Sequence, residues 1–210
     1  MEKKFFKNKN TGFTLVEVLV AVAIFSVSIL GIMSVLTSSL SDTIYAKNKM
    51  TAEYLAQEGI EYIRNMRDTY VLYDTAGTTD GWNNFNTKVA GTSGNTICAT
   101  TKGCYFDDSS VWSNFPTPGT KYMENLTLNA CSQSCPTLLY DNTPSDSNYG
   151  KYGYSPAISG VNSGFIRKIT VTPSYSGYPY ETQITSTVYY TQGSGTYNIS
   201  FSEVLYNWVQ

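Results

Sequence analysis

Residues 12–36 read GFTLVEVLVAVAIFSVSILGIMSVL, an apolar run that holds one charged residue, Glu17. About 20 apolar residues in a helix cross the hydrocarbon core of a bilayer, so residues 13–36 predict a transmembrane helix. Lysines precede the run at positions 3, 4, 7 and 9, and such an excess of positive charge keeps a segment on the cytoplasmic side. The carboxylate is unusual, because an acidic side chain within lipid costs about 2.5–3.5 kcal/mol and ordinarily has a partner.

The segment from Gly12 to Ala21, GFTLVEVLVA, resembles the cleavage and methylation motif of type IV prepilins and the related pseudopilins. The resemblance implies that a prepilin peptidase removes residues 1–12 as a leader, cutting between Gly12 and Phe13, and then methylates the new amine of Phe13. It also implies an assembly role for Glu17, which would pair with the terminal amine of a neighbouring subunit. The implied partners are the peptidase, the membrane before assembly, and other pilin or pseudopilin subunits.

Two other interpretations of the apolar run explain less. A secretory signal has a shorter apolar core followed by a small-residue cleavage site, whereas this run is longer and its glycine comes first. A plain signal-anchor helix fits the hydropathy but gives no reason for Glu17. We therefore expect a single-pass protein of the cytoplasmic membrane with an exported C-terminal domain, which later enters a pilus or an envelope-spanning filament.

The composition is typical of an extracellular protein with an uncharged polar surface rather than of a cytosolic enzyme. Charged residues make up 14% of the chain, against about 25% in average proteins. Loss of the leader, with its four lysines and one glutamate, would take the net charge from −2 to −5, which argues against a nucleic-acid partner. The sequence has no histidine, so a Ser-His-Asp triad is impossible. No cofactor is expected.

Four cysteines follow the membrane segment, at Cys98, Cys104, Cys131 and Cys135. An even number on the exported side predicts disulfides, with three possible connectivities. The spacings favour Cys98–Cys104 and Cys131–Cys135, because short loops close easily. The alternative is a zinc site, which the five and three intervening residues suit poorly.

The first proline of the chain is Pro116, so nothing before it must break a helix. We predict one helix from Phe13 to about Asp68, in which residues 37–68 continue the membrane segment as an amphipathic helix with apolar residues at three- and four-residue steps. Its tract Ala52–Asp68, AEYLAQEGIEYIRNMRD, resembles those of minor-pilin-like proteins in the same family.

Residues 69–163 are rich in Gly, Asn, Thr, Ser and Asp, and predict a variable loop region with a few short strands or helical turns, tied down by the cysteines. Turns are indicated at Asp80-Gly81, Ser93-Gly94, Pro118-Gly119 and Ser163-Gly164. Oxygen-rich stretches at Asp107-Asp108 and Asp141–Asn148 could hold calcium, but neither has the spacing of an EF-hand. Because such side chains more often bond their own backbone in turns, no metal site is predicted.

Residues 164–210 predict an antiparallel β-meander. Three runs alternate apolar and polar residues, as strands with one buried face do: Phe165–Thr172, Gln183–Thr191 and Thr196–Leu205. The second half of the helix is the apolar partner of suitable length, so the sheet should lie on Leu55, Gly59 and Ile63. Trp208 is expected to close this core.

The predicted fold is α+β: one long N-terminal helix, its first half transmembrane, packed on a C-terminal antiparallel sheet of three to four strands, with a variable loop insert. The predicted function is structural, as a minor pilin of a type IV pilus-class filament. One alternative is a pseudopilin of a type II secretion or DNA-uptake filament. Another, from a different class, is a membrane-anchored adhesin that never polymerises. Glu17 separates these classes, because such an adhesin has no use for it.

Overall fold

The computed structural model describes residues 12–73, 78–92, 95–107, 126–155, 158–174 and 177–208. The leader lysines lie outside the described residues. The chain divides into two compact units, Met1–Ala46 and Lys47–Gln210.

Two helices and nine strands make up the described part of the chain. In chain order they are α1 (Leu15–Tyr73), α2 (Thr78–Ala90), β1 (Gly91–Thr92), β2 (Asn95–Thr96), β3 (Cys104–Asp107), β4 (Thr127–Ala130), β5 (Thr137–Tyr140), β6 (Tyr152–Gly153), β7 (Val161–Pro173), β8 (Glu181–Gln192) and β9 (Gly195–Tyr206).

The described part of the first unit is dominated by the beginning of α1. This helix starts two residues after the predicted Phe13 and continues to Tyr73, five residues beyond the predicted Asp68. No proline occurs in it, so each backbone N–H after the first turn can bond the carbonyl four residues earlier. The helix is long and apolar enough to cross a membrane.

The second unit contains the predicted meander. Strands β7, β8 and β9 pair antiparallel in sequence order, with Ile169 opposite Ser186 and Val188 opposite Ile199. Burial alternates along β7: Phe165, Arg167, Ile169 and Val171 are buried, and the residues between them are only partly covered. The period of two seen in the sequence therefore does mark one core-facing side of the sheet.

Four short strands from the region predicted as loops extend this sheet to seven strands. β8 occupies one edge of β7 along Phe165–Pro173. β3 and β5 share the other edge, β3 pairing at Ile169 and β5 between Val161 and Ile166. β4 then pairs with β3, and β6 with β5. The sheet thus forks on this side of β7.

The sheet packs on the second half of α1, as predicted. Leu55, Gly59 and Ile63 are all buried. A Cβ added to Gly59 would overlap the hydroxyl of Ser186 on β8, so glycine is what allows the helix to approach the sheet this closely. The fold class is confirmed.

The helix α2 is the main feature that the sequence did not reveal. Its residues Trp82, Phe85 and Val89 lie on one face and are at most 3% exposed. The predicted turn at Asp80-Gly81 is wrong, because both residues lie inside α2. A Cβ on Gly81 would come within 2.5 Å of the carbonyl oxygen of Tyr70, so this glycine serves close packing between the two helices rather than a turn.

Two further predictions are corrected. Ser163-Gly164 lies within β7 rather than in a turn, and Gly164, with φ of 79°, sits where the pairing with β5 shifts register. Trp208 does not close the core, since it follows the end of β9 and is 56% exposed. Trp82 enters the core instead, and its indole N–H donates to the carbonyl of Pro179.

Candidate functional site

The predicted cleavage point lies just before the first helix. Gly12 and Phe13 have no regular structure and are exposed, Phe13 to 81%. A Cβ added to Gly12 meets nothing within 4 Å. Packing against the described residues therefore gives no reason for a glycine at this position.

Glu17 lies in the first turn of α1 beside a cap that the sequence analysis missed. The backbone N–H of Glu17 donates to Oγ1 of Thr14 at 3.3 Å, and the N–H of Val18 donates to the Thr14 carbonyl at 3.2 Å. Thr14 is thus the N-cap, and Thr14-Leu15-Val16-Glu17 has the T-x-x-E pattern of a capping box. A carboxylate near a helix N-terminus also interacts favourably with the helix dipole. Glu17 therefore has a local role available in addition to the proposed contact between subunits.

Several hydroxyl groups in and just after the apolar segment are satisfied inside the helix. The side chains that donate to the carbonyl four residues earlier, at 2.8–3.2 Å, are Ser26, Ser28, Thr37, Ser38 and Ser39. Polar groups without partners are costly in lipid. These internal bonds therefore make the segment compatible with a bilayer or with an apolar bundle of helices.

The apolar side chains of the segment have no cover from the described residues. From Phe13 to Leu36, every Leu, Val, Ile, Phe and Met is between 40% and 81% exposed. An apolar surface that surrounds a helix needs lipid or other helices around it. Gly31 lies on this surface, and a Cβ there would meet nothing within 4 Å, so close packing at Gly31 would require a second chain.

The four cysteines form Cys98–Cys104 and Cys131–Cys135. This is the pairing that their short spacing favoured, and it leaves no free thiolate for a zinc site. The two bridges approach each other, with Cys135 Sγ 3.7 Å from the carbonyl oxygen of Cys104. Both lie in the second unit. Cys98–Cys104 ends at the first residue of β3, and Cys131–Cys135 lies in the connection between β4 and β5.

A buried arginine joins α1 to the sheet, and the sequence analysis did not identify it. Arg167 on β7 is 2% exposed and forms an ion pair with Glu58. Its Cζ lies 4.1 Å from the centroid of the Phe106 ring, a cation–π geometry. The sequence does indicate this role. Arg167 lies between Phe165 and Ile169 in the alternating register, so it belongs to the buried face of the strand, where a charged side chain requires a partner.

Two more arginines hold the end of α1 to β9. Arg64 Nε donates to Glu203 at 3.2 Å, and Arg67 Nη1 donates to the carbonyl of Tyr206 at 2.9 Å. The hydrogen bond with Glu203 raises the pKa of the Arg64 guanidinium above its usual value, although its partial burial acts in the opposite direction. The second half of α1 is therefore fixed along the sheet by charge as well as by apolar packing.

The oxygen-rich loop after β5 forms turns. Asp141 Oδ1 accepts from the N–H of Thr143 at 2.8 Å, and Asp146 Oδ1 accepts from that of Asn148 at 2.9 Å. Lys151 Nζ lies 3.0 Å from Asn148 Oδ1 and brings a positive charge to the loop. Within the described ranges, no group of three or more His, Cys, Asp or Glu side chains could hold a metal ion. Asp108 lies outside those ranges.

Comparison with known proteins gives one match, at the N-terminus. Residues 7–33 match the family model of the prokaryotic N-terminal methylation motif. No curated protein and no solved structure matched the chain. The matched stretch contains the candidate processing and assembly residues Gly12, Phe13 and Glu17.

Proposed function

We propose that this chain, whose N-terminus carries the methylation motif of type IV pilins and pseudopilins, is a minor pilin, a structural subunit without enzymatic activity. The motif supports a pilin-like filament subunit in general. The narrower assignment as a minor pilin rests on the large insert between helix and meander, and on the tract Ala52–Asp68, which resembles minor-pilin-like proteins.

The observation that carries the proposal is the uncovered apolar surface of α1 next to the methylation motif. From Phe13 to Leu36 no Leu, Val, Ile, Phe or Met side chain falls below 40% exposure. In the membrane, lipid would cover this surface. In a filament, the equivalent segments of neighbouring subunits would cover it, so transfer from lipid to filament keeps the same residues out of water.

We propose the following sequence of states. The N-terminal segment first holds the protein in the cytoplasmic membrane with its C-terminal domain exported. The peptidase removes residues 1–12 and methylates Phe13. Glu17 then pairs with the terminal amine of an adjacent subunit, because a carboxylate in apolar surroundings is tolerated when it is paired. A pseudopilin of a secretion or DNA-uptake filament would follow the same steps.

Fractionation of native cells tests the proposal. Intact masses and amounts of the protein should be measured in sheared filaments and in membranes. We expect mature protein in the filaments, at a small fraction of the most abundant subunit. Absence from every filament fraction would favour the anchored adhesin, and an amount equal to the most abundant subunit would rule out a minor role. Pilus, secretion-channel or competence genes beside this one would indicate which filament it joins.

A further inference from the structure

A cleft of about 440 Å³ lies where the sheet forks beside β7. The fork arises because β3 pairs with β7 at Ile169 while β5 pairs from Ile166 toward Val161. Tyr105, the residue after the β3 contact, and Thr137, the first residue of β5, both line the cleft. The cleft is thus built into the strand topology, and its volume lies in the range of about 300–1,000 Å³ typical of ligand pockets.

The walls of the cleft combine aromatic, aliphatic and uncharged polar groups. The rings of Tyr105 and Tyr154 lie on one side with their centroids 4.9 Å apart. Asn129, directly opposite Tyr105 in the β3–β4 ladder, supplies an amide. Thr137 and Ser155 supply hydroxyls. Among the described residues that line the cleft, none is charged.

The two disulfides brace this arrangement. Cys98–Cys104 ends at the residue before Tyr105, and Cys131–Cys135 closes the connection between Asn129 and Pro136. The N–H of Cys131 also donates to the carbonyl of Gly103 at 2.9 Å. Walls held in place before a ligand arrives lower the entropic cost of binding.

We propose that this cleft binds a short neutral saccharide. A charged ligand would lose water without gaining an opposite charge from these walls. A purely apolar ligand would leave the amide of Asn129 and the two hydroxyls without partners. A neutral sugar satisfies both requirements, because its C–H faces can lie on the partly exposed ring of Tyr105 and on Leu139 while its hydroxyls bond the amide and hydroxyl groups.

Saturation-transfer NMR on the full mature chain tests the proposal. The protein should be held in lauryldimethylamine oxide micelles, because glycosidic detergents carry sugar headgroups that would compete. The neutral probes are glucose, galactose, N-acetylglucosamine, maltose and lactose. Glucuronate and glucosamine are their charged counterparts. We expect at least one neutral probe to receive saturation and to bind more tightly than either charged one.

Variants locate the site. Asn129→Ala and Thr137→Val should each weaken binding of the responding sugar by about tenfold, the effect of losing one hydrogen bond of about 1.4 kcal/mol. Asn198→Ala, at an exposed asparagine of β9 outside the cleft, is the matched control and should bind as the unchanged protein does. Intact disulfides and an unchanged thermal transition would show that each variant is folded.

Three results would overturn the proposal: no saturation of any neutral probe, tighter binding of a charged counterpart, or equal binding by folded Asn129→Ala and Asn198→Ala. None of these results bears on filament assembly, because the cleft contains none of the N-terminal residues on which that function depends.

Discussion

Arg167 on β7 and Glu58 on α1 form an ion pair across the interface between helix and sheet, with Nη1 2.5 Å from Oε2. The pair is asymmetric, because the arginine side chain is 2% exposed and that of the glutamate 34%. The buried positive charge of Arg167 therefore depends on Glu58 for neutralisation, whereas the Glu58 carboxylate retains contact with water.

Glu58→Gln should consequently destabilise the second unit by about 3 kcal/mol, the lower end of the cost of leaving a buried charge without its partner. Urea denaturation of the full chain in micelles would measure the change. Glu53→Gln is the matched control, because Glu53 pairs with Lys49 at 4.0 Å on the exposed side of the same helix, and such pairs contribute about 0.3–0.5 kcal/mol. Equal losses in the two variants would show that Arg167 does not require Glu58.

Gly59→Ala should destabilise the helix–sheet contact by about 1–3 kcal/mol, the range for adding a methyl group to a filled interface. The new Cβ would overlap the hydroxyl of Ser186 and lie 3.1 Å from its Cβ. Adding Ser186→Gly should restore part of the loss, because it removes both atoms. Thermal melts of the two single variants and the double variant would measure this coupling, and full additivity would contradict it.

Processing should give a mature chain that begins at methylated Phe13. Intact-mass analysis of protein from the native host should show loss of residues 1–12 and the gain of one methyl group. Gly12→Ala should have a mild effect and Gly12→Leu should block cleavage. Since a Cβ at Gly12 meets nothing within 4 Å, the thermal transition of the second unit should be unchanged in both variants. A retained leader in the unchanged protein, or cleavage beyond residue 30, would refute the expected processing.

Substitutions at Glu17 should separate its two available roles. Glu17→Ala should leave membrane insertion and leader cleavage intact and sharply reduce recovery in sheared filaments. Glu17→Gln keeps a residue suited to the capping box of Thr14 but removes the charge. If pairing with a subunit amine is the role, Gln should fail in assembly as Ala does. Normal filament recovery with Gln would instead assign the need for Glu17 to the helix cap.

Tyr152 should make the stability of the second unit sensitive to alkaline pH. Burial raises its pKa above the usual 10.0, with a further contribution from Tyr140, while a hydrogen bond with Thr51 lowers it. A phenol with a raised folded-state pKa loses its proton more readily in the unfolded chain. Its stabilising contribution is therefore complete below about pH 10 and declines as pH rises through the folded-state pKa. Between pH 9 and pH 11, the urea midpoint of Tyr152→Phe should fall less than that of the unchanged protein, and an equal fall would exclude this contribution.

The sequence predicted the elements whose periodicity is long and regular. The apolar run predicted α1, the alternation around Ile169 predicted β7, and the spacing of the cysteines favoured their pairing. It did not predict α2, because the TTDGWNNFNTKVA segment is mostly polar and its glycine indicates a turn, although Trp82, Phe85 and Val89 share one helical face. Strands of two to four residues, such as β6, are too short to show a period.

The sequence indicates candidate residues that lie close together in the chain, but not those that only folding brings together. Gly12, Phe13 and Glu17 follow one another closely in a recognisable motif. The T-x-x-E pattern of residues 14–17 also indicates a helix N-cap at Thr14, so this cap could have been predicted. The cleft beside Tyr105 brings together residues from four separate segments, and nothing local in the sequence indicates that they meet.

The contacts of α1 with β9 also bear on the order in which the chain can fold during synthesis. Arg64 and Glu203 are 139 residues apart in the chain, and Leu205 on the last strand is buried in the core. The helix therefore emerges from the ribosome long before the strand that completes its cover. A chain interrupted before β9 would lack both the carboxylate for Arg64 and the leucine for the core, so a truncated product would leave this part of α1 uncovered and open to proteolysis.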